Sequence, residues 1–144
     1  MLYYNRLDPV VWVGSKSGTT RTSVALPTSY NTTVTKTVNT TGYAVAVFDI
    51  LYTMGAEETT NSIEIKIEDS VDGTNFYRLS NEAASAGTST ITAREFTFVG
   101  TNAAAATVSY RLDISYPYLK VSAKETGVAS NAGTVFIEGI LAGN

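Results

Sequence analysis

The sequence predicts an all-β chain, a single antiparallel β-sandwich, on three observations. Apolar and polar residues alternate with a period of two in several segments, as they do on a half-buried strand. Threonine is the commonest residue and joins valine, isoleucine, tyrosine and phenylalanine in a bias toward extended backbone, because branched and aromatic side chains suit a pleated surface. No segment repeats apolar residues at helical spacing, and the one helix-prone run, Ala103 to Ala106, is too short to be stable alone. With 144 residues, 44% hydrophobic and 16% charged, the chain has the size and composition of one globular domain.

In chain order, residues 1–42 are expected to form an extended amino-terminal arm and edge segment, and residues 43–144 the jelly-roll-like sandwich core. The arm begins with a short apolar run, Val10, Val11, Trp12 and Val13, preceded by Asp8 and Pro9 and lacking the features of a secretory signal. Residues 14–42 are dominated by Ser, Thr and Asn, with Val24, Leu26, Val34 and Val38 scattered among them. That is too little apolar surface to offset roughly 1–2 kcal/mol of backbone ordering per residue, so the segment must pair along a sheet edge or dock on another chain.

Tyr43 to Met54, apolar on both faces apart from Asp49, suits a central strand covered on both sides. Ile63, Ile65 and Ile67 alternate with Glu64, Lys66 and Glu68; burying the three isoleucines is worth about 5–9 kcal/mol before entropy costs. Val71-Asp72-Gly73-Thr74-Asn75 reads as a tight turn, giving a hairpin from Ile63 to Leu79. Phe96 and Phe98 share a face, and Ile91 and Ala93 fall out of phase with them, which predicts a bulge near Arg94 or Glu95. Val108, Tyr110, Leu112 and Ile114 form the apolar side of another strand, and Leu119, Val121 and Ala123 of the next, with a corner at Tyr116-Pro117-Tyr118. Val135, Ile137 and Leu141 share one face of a last strand, where Gly139 marks a bulge or a close backbone approach.

Composition excludes most chemistry. Without histidine the chain has no Ser-His-Asp triad, no imidazole base and no histidine-ligated metal; without cysteine it has no disulfide, thiolate nucleophile or thiolate metal site. A net charge of -3 with dispersed basic residues gives no footprint for nucleic acid, and no apolar run is long enough for a helix to span a bilayer. No cofactor is expected, and no enzymatic activity. The acidic pairs, Glu57 with Glu58 and Glu68 with Asp69, read as a solvated loop and face, because neighbours on a strand point to opposite sides. Asp69, Asp72 and Asn75 lack the register of a calcium loop, and no phosphate-binding loop is present. Asn31-Thr32-Thr33 and Asn39-Thr40-Thr41 match a glycosylation sequon, as a chain rich in Asn and Thr does by chance. Tyr3, Tyr4 and Trp12 could stack on sugar rings or anchor the arm in a pocket of a neighbouring subunit.

The run from Ile63 to Tyr77, with its S-x-D-G-x-N-aromatic turn, followed by Tyr118-Leu119-Lys120-Val121, resembles small β-sandwich virion proteins of tailed bacteriophages, of the head decoration or auxiliary kind. The similar portion covers residues 43–141. The resemblance implies a protein that binds the capsid exterior, oligomerises there, often as a trimer, and clamps neighbouring subunits of the major capsid protein or other virion components. It carries no catalytic residues across. On this reading Tyr3, Tyr4 and Trp12 serve assembly, and removing residues 1–20 abolishes retention on the capsid while leaving the sandwich folded. Two other readings are a tail or baseplate component and a carbohydrate-binding or adhesive module.

Overall fold

The computed structural model describes residues 4–55, 62–77, 95–99, 105–126 and 131–144. Among the described residues eleven strands follow in order: β1 (Arg6–Val13), β2 (Ser15–Ser17), β3 (Thr20–Thr22), β4 (Val24–Ala25), β5 (Thr35–Asn39), β6 (Val45–Thr53), β7 (Ser62–Ser70), β8 (Glu95–Val99), β9 (Ala105–Asp113), β10 (Tyr118–Thr126) and β11 (Thr134–Gly143). Among the described residues the only helical element is a 3₁₀ turn at Thr32–Val34, started by Asn31, whose side chain accepts the Thr33 N–H at 3.0 Å. Asn39 likewise accepts the Thr41 N–H at 2.9 Å, so both Asn-Thr-Thr motifs close local turns.

One sheet runs β1-β11-β6-β9, with β4 continuing beside β11, and the other runs β5-β10-β7-β8; all pairings are antiparallel. If the minor strands β2, β3 and β4 are set aside, the first strand pairs with the last, β5 with β10, β6 with β9 and β7 with β8. A ribbon nested in this way and rolled into two four-stranded sheets is a jelly roll. Pro117 turns the chain from one sheet to the other, and the facing corner is tied to it: Thr40 donates from its N–H to the Pro117 carbonyl at 2.7 Å and from Oγ1 to the Tyr116 carbonyl at 2.8 Å.

The core lies between the sheets. Phe48, Ile50, Leu112 and Ile137 enter from the first, and Ile63, Ile65, Ile67, Leu119 and Val121 from the second, all of them buried. Phe96 and Phe98 stand opposite Ile65 and Ile63 in the β7–β8 ladder. Glu125 continues the inward parity of Leu119, Val121 and Ala123 and is fully buried, where Oε2 accepts the Gly133 N–H at 2.9 Å.

Several expectations change. Of the hairpin expected from Ile63 to Leu79, Leu79 lies outside the described residues; among those described, one bridge joins Asp69 to Tyr77, and β7 has its long partners in β10 and β8. With nine pairs to β10 and five to β8, β7 sits inside a sheet whose isoleucine face packs on the other sheet. Gly139 is a close approach and not a bulge, since the β11–β6 register runs unbroken from Thr134 opposite Thr53 to Ala142 opposite Val45. β6 is central in its sheet and its two faces are covered unequally: Ala46, Phe48 and Ile50 point inward and are buried, while on the other side Val45 is buried and Val47, Asp49 and Leu51 are half-buried. Residues 14–42 are drawn into the sandwich, with β4 on β11, β5 at the edge of the second sheet, and β2 and β3 paired to each other. Of the two positions near which a bulge is expected, Arg94 lies outside the described residues, and from Glu95 onward the ladder to β7 is regular.

Candidate interaction surface

Strand parity gives the two outer faces opposite characters. On the first sheet, register sets Leu7, Ala142, Val45 and Asp113 side by side in one row and Pro9, Ile140, Val47 and Arg111 in the next. Six adjoining positions are therefore apolar, of which Val45 and Ala142 are themselves buried. Leu7 is 60% and Ile140 43% exposed, and Pro9 is exposed beside them. A contiguous apolar strip on an outer sheet face is the usual mark of a docking surface.

The strip ends against an ionic clasp. The β2–β3 hairpin places Lys16 Nζ 2.6 Å from Glu138 Oε2 and Arg21 Nε 2.5 Å from Glu138 Oε1, with the Arg21 guanidinium 6.0 Å from the ring centre of the buried Phe136. Lys16, and after it Arg21, hold the Glu138 carboxyl below its ordinary value of 4.5. A depressed carboxyl stabilises the fold above its unfolded pKa and loses that contribution as pH falls below about 4.5 through the lower folded value. Acid titration followed by the emission of the single tryptophan should therefore show a steeper loss of stability below that pH for the parent than for Glu138→Gln.

The outer face of the second sheet is charged. Lys124 pairs with Glu64 at 3.2 Å, and Lys66 and Lys120 reach Glu68 at 3.4 and 3.2 Å. Glu68 thus faces outward, whereas its neighbour Asp69 is buried on the inner side, and no pair of carboxylates converges there. Glu57 and Glu58 lie outside the described residues. A groove of about 480 Å³ crosses this face beside Tyr30, Asn31 and Thr32, but the Tyr30 ring lies under the Lys66 and Lys124 ammonium groups, 4.5 and 5.0 Å from its centre. It offers cations to a ligand rather than a bare aromatic platform.

At the β7 end, Asp72 organises the tight turn. Its carboxylate accepts the Thr74 and Asn75 N–H groups at 2.8 Å each, the Asn75 side-chain amide at 2.8 Å and the Ser70 hydroxyl at 2.9 Å, and Gly73 follows at φ 75°. The Asn75 and Thr74 N–H groups, first among these donors, hold Asp72 far below the ordinary carboxylate range. Its oxygens are occupied in closing the turn, and among the described residues no group of three acidic side chains could hold a metal ion.

Of the three aromatic residues singled out in the sequence, Tyr3 lies outside the described residues, and Tyr4 is half-buried just ahead of β1. Trp12 requires a correction. It is 3% exposed, with its ring 5.3 Å from that of Phe48, and belongs to the core of its own chain. The register of β1 on β11 shifts between Val11 and Val13, and this bulge turns both Trp12 and Val13 inward. Neither sugar stacking nor insertion into a neighbour is open to it. Removing residues 1–20 would delete β1 and a core side chain, so the sandwich would not survive that truncation intact. Trp12→Ala should cost about 3–5 kcal/mol, read as a lower urea midpoint at unchanged slope.

Leu7, Pro9, Val47 and Ile140 were not expected as contact residues. For Val47 the signal was the two-sided apolar pattern of Tyr43 to Met54, which marks an outer face waiting for cover as well as it marks a doubly covered strand; Leu7, Pro9 and Ile140 lie outside that run.

No protein-family profile and no curated protein matches the chain. Among solved structures it is similar to dimeric latent PorU from Porphyromonas gingivalis, with a TM-score of 0.48 and 13% identity, over 99% of this chain and 13% of that one. A likeness that distant, to so small a part of a longer chain, says nothing about activity.

Proposed function

We propose that this chain is a structural protein of a tailed-bacteriophage virion, a decoration protein that lays the outer face of its β1-β11-β6-β9 sheet on the exterior of the head and stabilises the shell. The observation that carries this reading is the two-faced sandwich. Leu7, Pro9, Val47 and Ile140 offer an apolar strip on one side, and the Lys–Glu pairs of β7 and β10 keep the other side wet. A protein that coats a shell needs one adhesive face and one solvated face. The jelly roll agrees with it as an analogy of fold, being an architecture on which capsid domains are built, though lectins share it. The Tyr30 groove supports the lectin reading poorly, because its ring is already covered by ammonium groups.

The test uses tailed-phage particles whose genome carries this sequence. Antibody against the purified chain should label the heads, and Leu7→Asp with Ile140→Asp should weaken retention on heads about tenfold or more, since each side chain brings roughly 1.5–3 kcal/mol when fully covered. Both residues are exposed, so the urea midpoint should hardly move. Label confined to tails would transfer the protein to the tail, and full retention of the double variant would remove this face from the contact.

A further inference from the structure

We propose that β9 is a dimerisation edge, pairing antiparallel with β9 of a second copy so that the β1-β11-β6-β9 sheet runs continuously through both. An edge strand exposes unpaired N–H and C=O groups, and proteins blunt such edges with proline, lysine, bulges or short strands. Three of the four edges of this jelly roll carry those devices. β1 has Pro9 and the Trp12 bulge, β5 is five residues long with Lys36 exposed, and β8 is five residues long. β9 has none of them. It is nine residues long, without proline, glycine or lysine, it keeps an unbroken ladder to β6, and it ends its sheet among the described residues.

Its side chains suit a copy of itself. In the register centred on Ser109, where all nine residues overlap, Val108 stands opposite the second copy's Tyr110 and Ala106 opposite its Leu112, large against small on the core side. On the outer side Thr107 meets Arg111 and Ala105 meets Asp113. Tyr110 packs on the core of its own chain, and both it and Val108 remain half-exposed, as side chains at an open sandwich edge do. Arg111 and Asp113 lie 3.4 Å apart and neutralise each other, so no like charges face across the axis. A register centred on Arg111 would set that guanidinium against its own copy. The contact is isologous and closes on itself, because the opposite edge of the sheet is blunted. It yields a two-fold dimer in place of the trimer implied by resemblance, and it stands whether or not the protein coats a capsid.

Sedimentation equilibrium of the full chain over a dilution series tests it. A monomer–dimer equilibrium is expected. Thr107→Glu, facing Arg111 twice per dimer, should tighten it by roughly 2- to 30-fold, and Thr107→Lys should loosen it by a similar factor. Thr107→Lys combined with Arg111→Glu, which again sets opposite charges face to face, should reverse that loosening and bring the affinity to the parental value or above it. Circular dichroism and Trp12 emission establish that each variant is folded, and the double variant serves if a single one is not. A monomer at every concentration, a trimer, or a shift of the same sign for Glu and Lys at position 107 would overturn the proposal.

Discussion

Gly139→Ala should remove much of the stability of the fold. A Cβ at that position would sit 1.8 Å from the carbonyl oxygen of Val47 and 2.9 Å from its carbonyl carbon. Both are backbone atoms of the neighbouring central strand, so no flexible side chain can swing away. β11 is held on its other side by β1, where Val10 stands opposite Gly139, and β6 is held by β9. Relief therefore requires breaking the nine-residue ladder between β11 and β6. The cost belongs to the exceptional tail of single substitutions, about 4 kcal/mol or more, against a net stability of about 5–15 kcal/mol for an ordinary domain. Loss of soluble protein, or a collapse of the urea midpoint, is the expected readout. A Gly139→Ala protein with the parental midpoint would mean that the sheets part easily at their centre.

The strands readable in the sequence are those whose two faces meet different media. Ile63 to Glu68, Leu119 to Lys124 and Val135 to Leu141 alternate because one side meets the core and the other meets water or the strap of β2 and β3. β1 escapes that pattern, since Pro9 to Val13 is apolar almost throughout and its inward pair, Trp12 and Val13, is made by a bulge that no period of two reveals. β5 escapes it too, as an edge strand of Thr and Lys with only Val38 packed on the core. The nesting of first strand with last depends on which faces meet across the sandwich, which is settled by packing between residues more than a hundred positions apart. At the candidate surface, Ile140 and Val47 were visible as apolar residues of the wrong parity for the core. Only the register shows that they adjoin Leu7 and Pro9 to make a strip.

Ile65→Asp should be the most damaging side-chain substitution, and its pH dependence should say why. Ile65 is fully buried at the middle of β7, opposite Ala123 on one side and Phe96 on the other. The change forfeits roughly 1.5–3 kcal/mol of apolar burial. An unpaired carboxylate in that position adds about 3–5 kcal/mol more, so the sum reaches the net stability of a typical domain. Burial disfavours the charged form and raises the folded-state pKa above the unfolded one, so the folded state binds the extra proton and the variant regains stability as pH falls toward its unfolded pKa. The native carboxylates Glu138 and Asp72 act in the opposite sense, and Ile65→Asn, equal in shape and unable to titrate, separates the two. Urea unfolding of both variants from neutral to mildly acidic pH should bring Asp up toward Asn as the solution is acidified. Parallel curves would show that the core at Ile65 rejects the shape of the side chain and admits water to its charge.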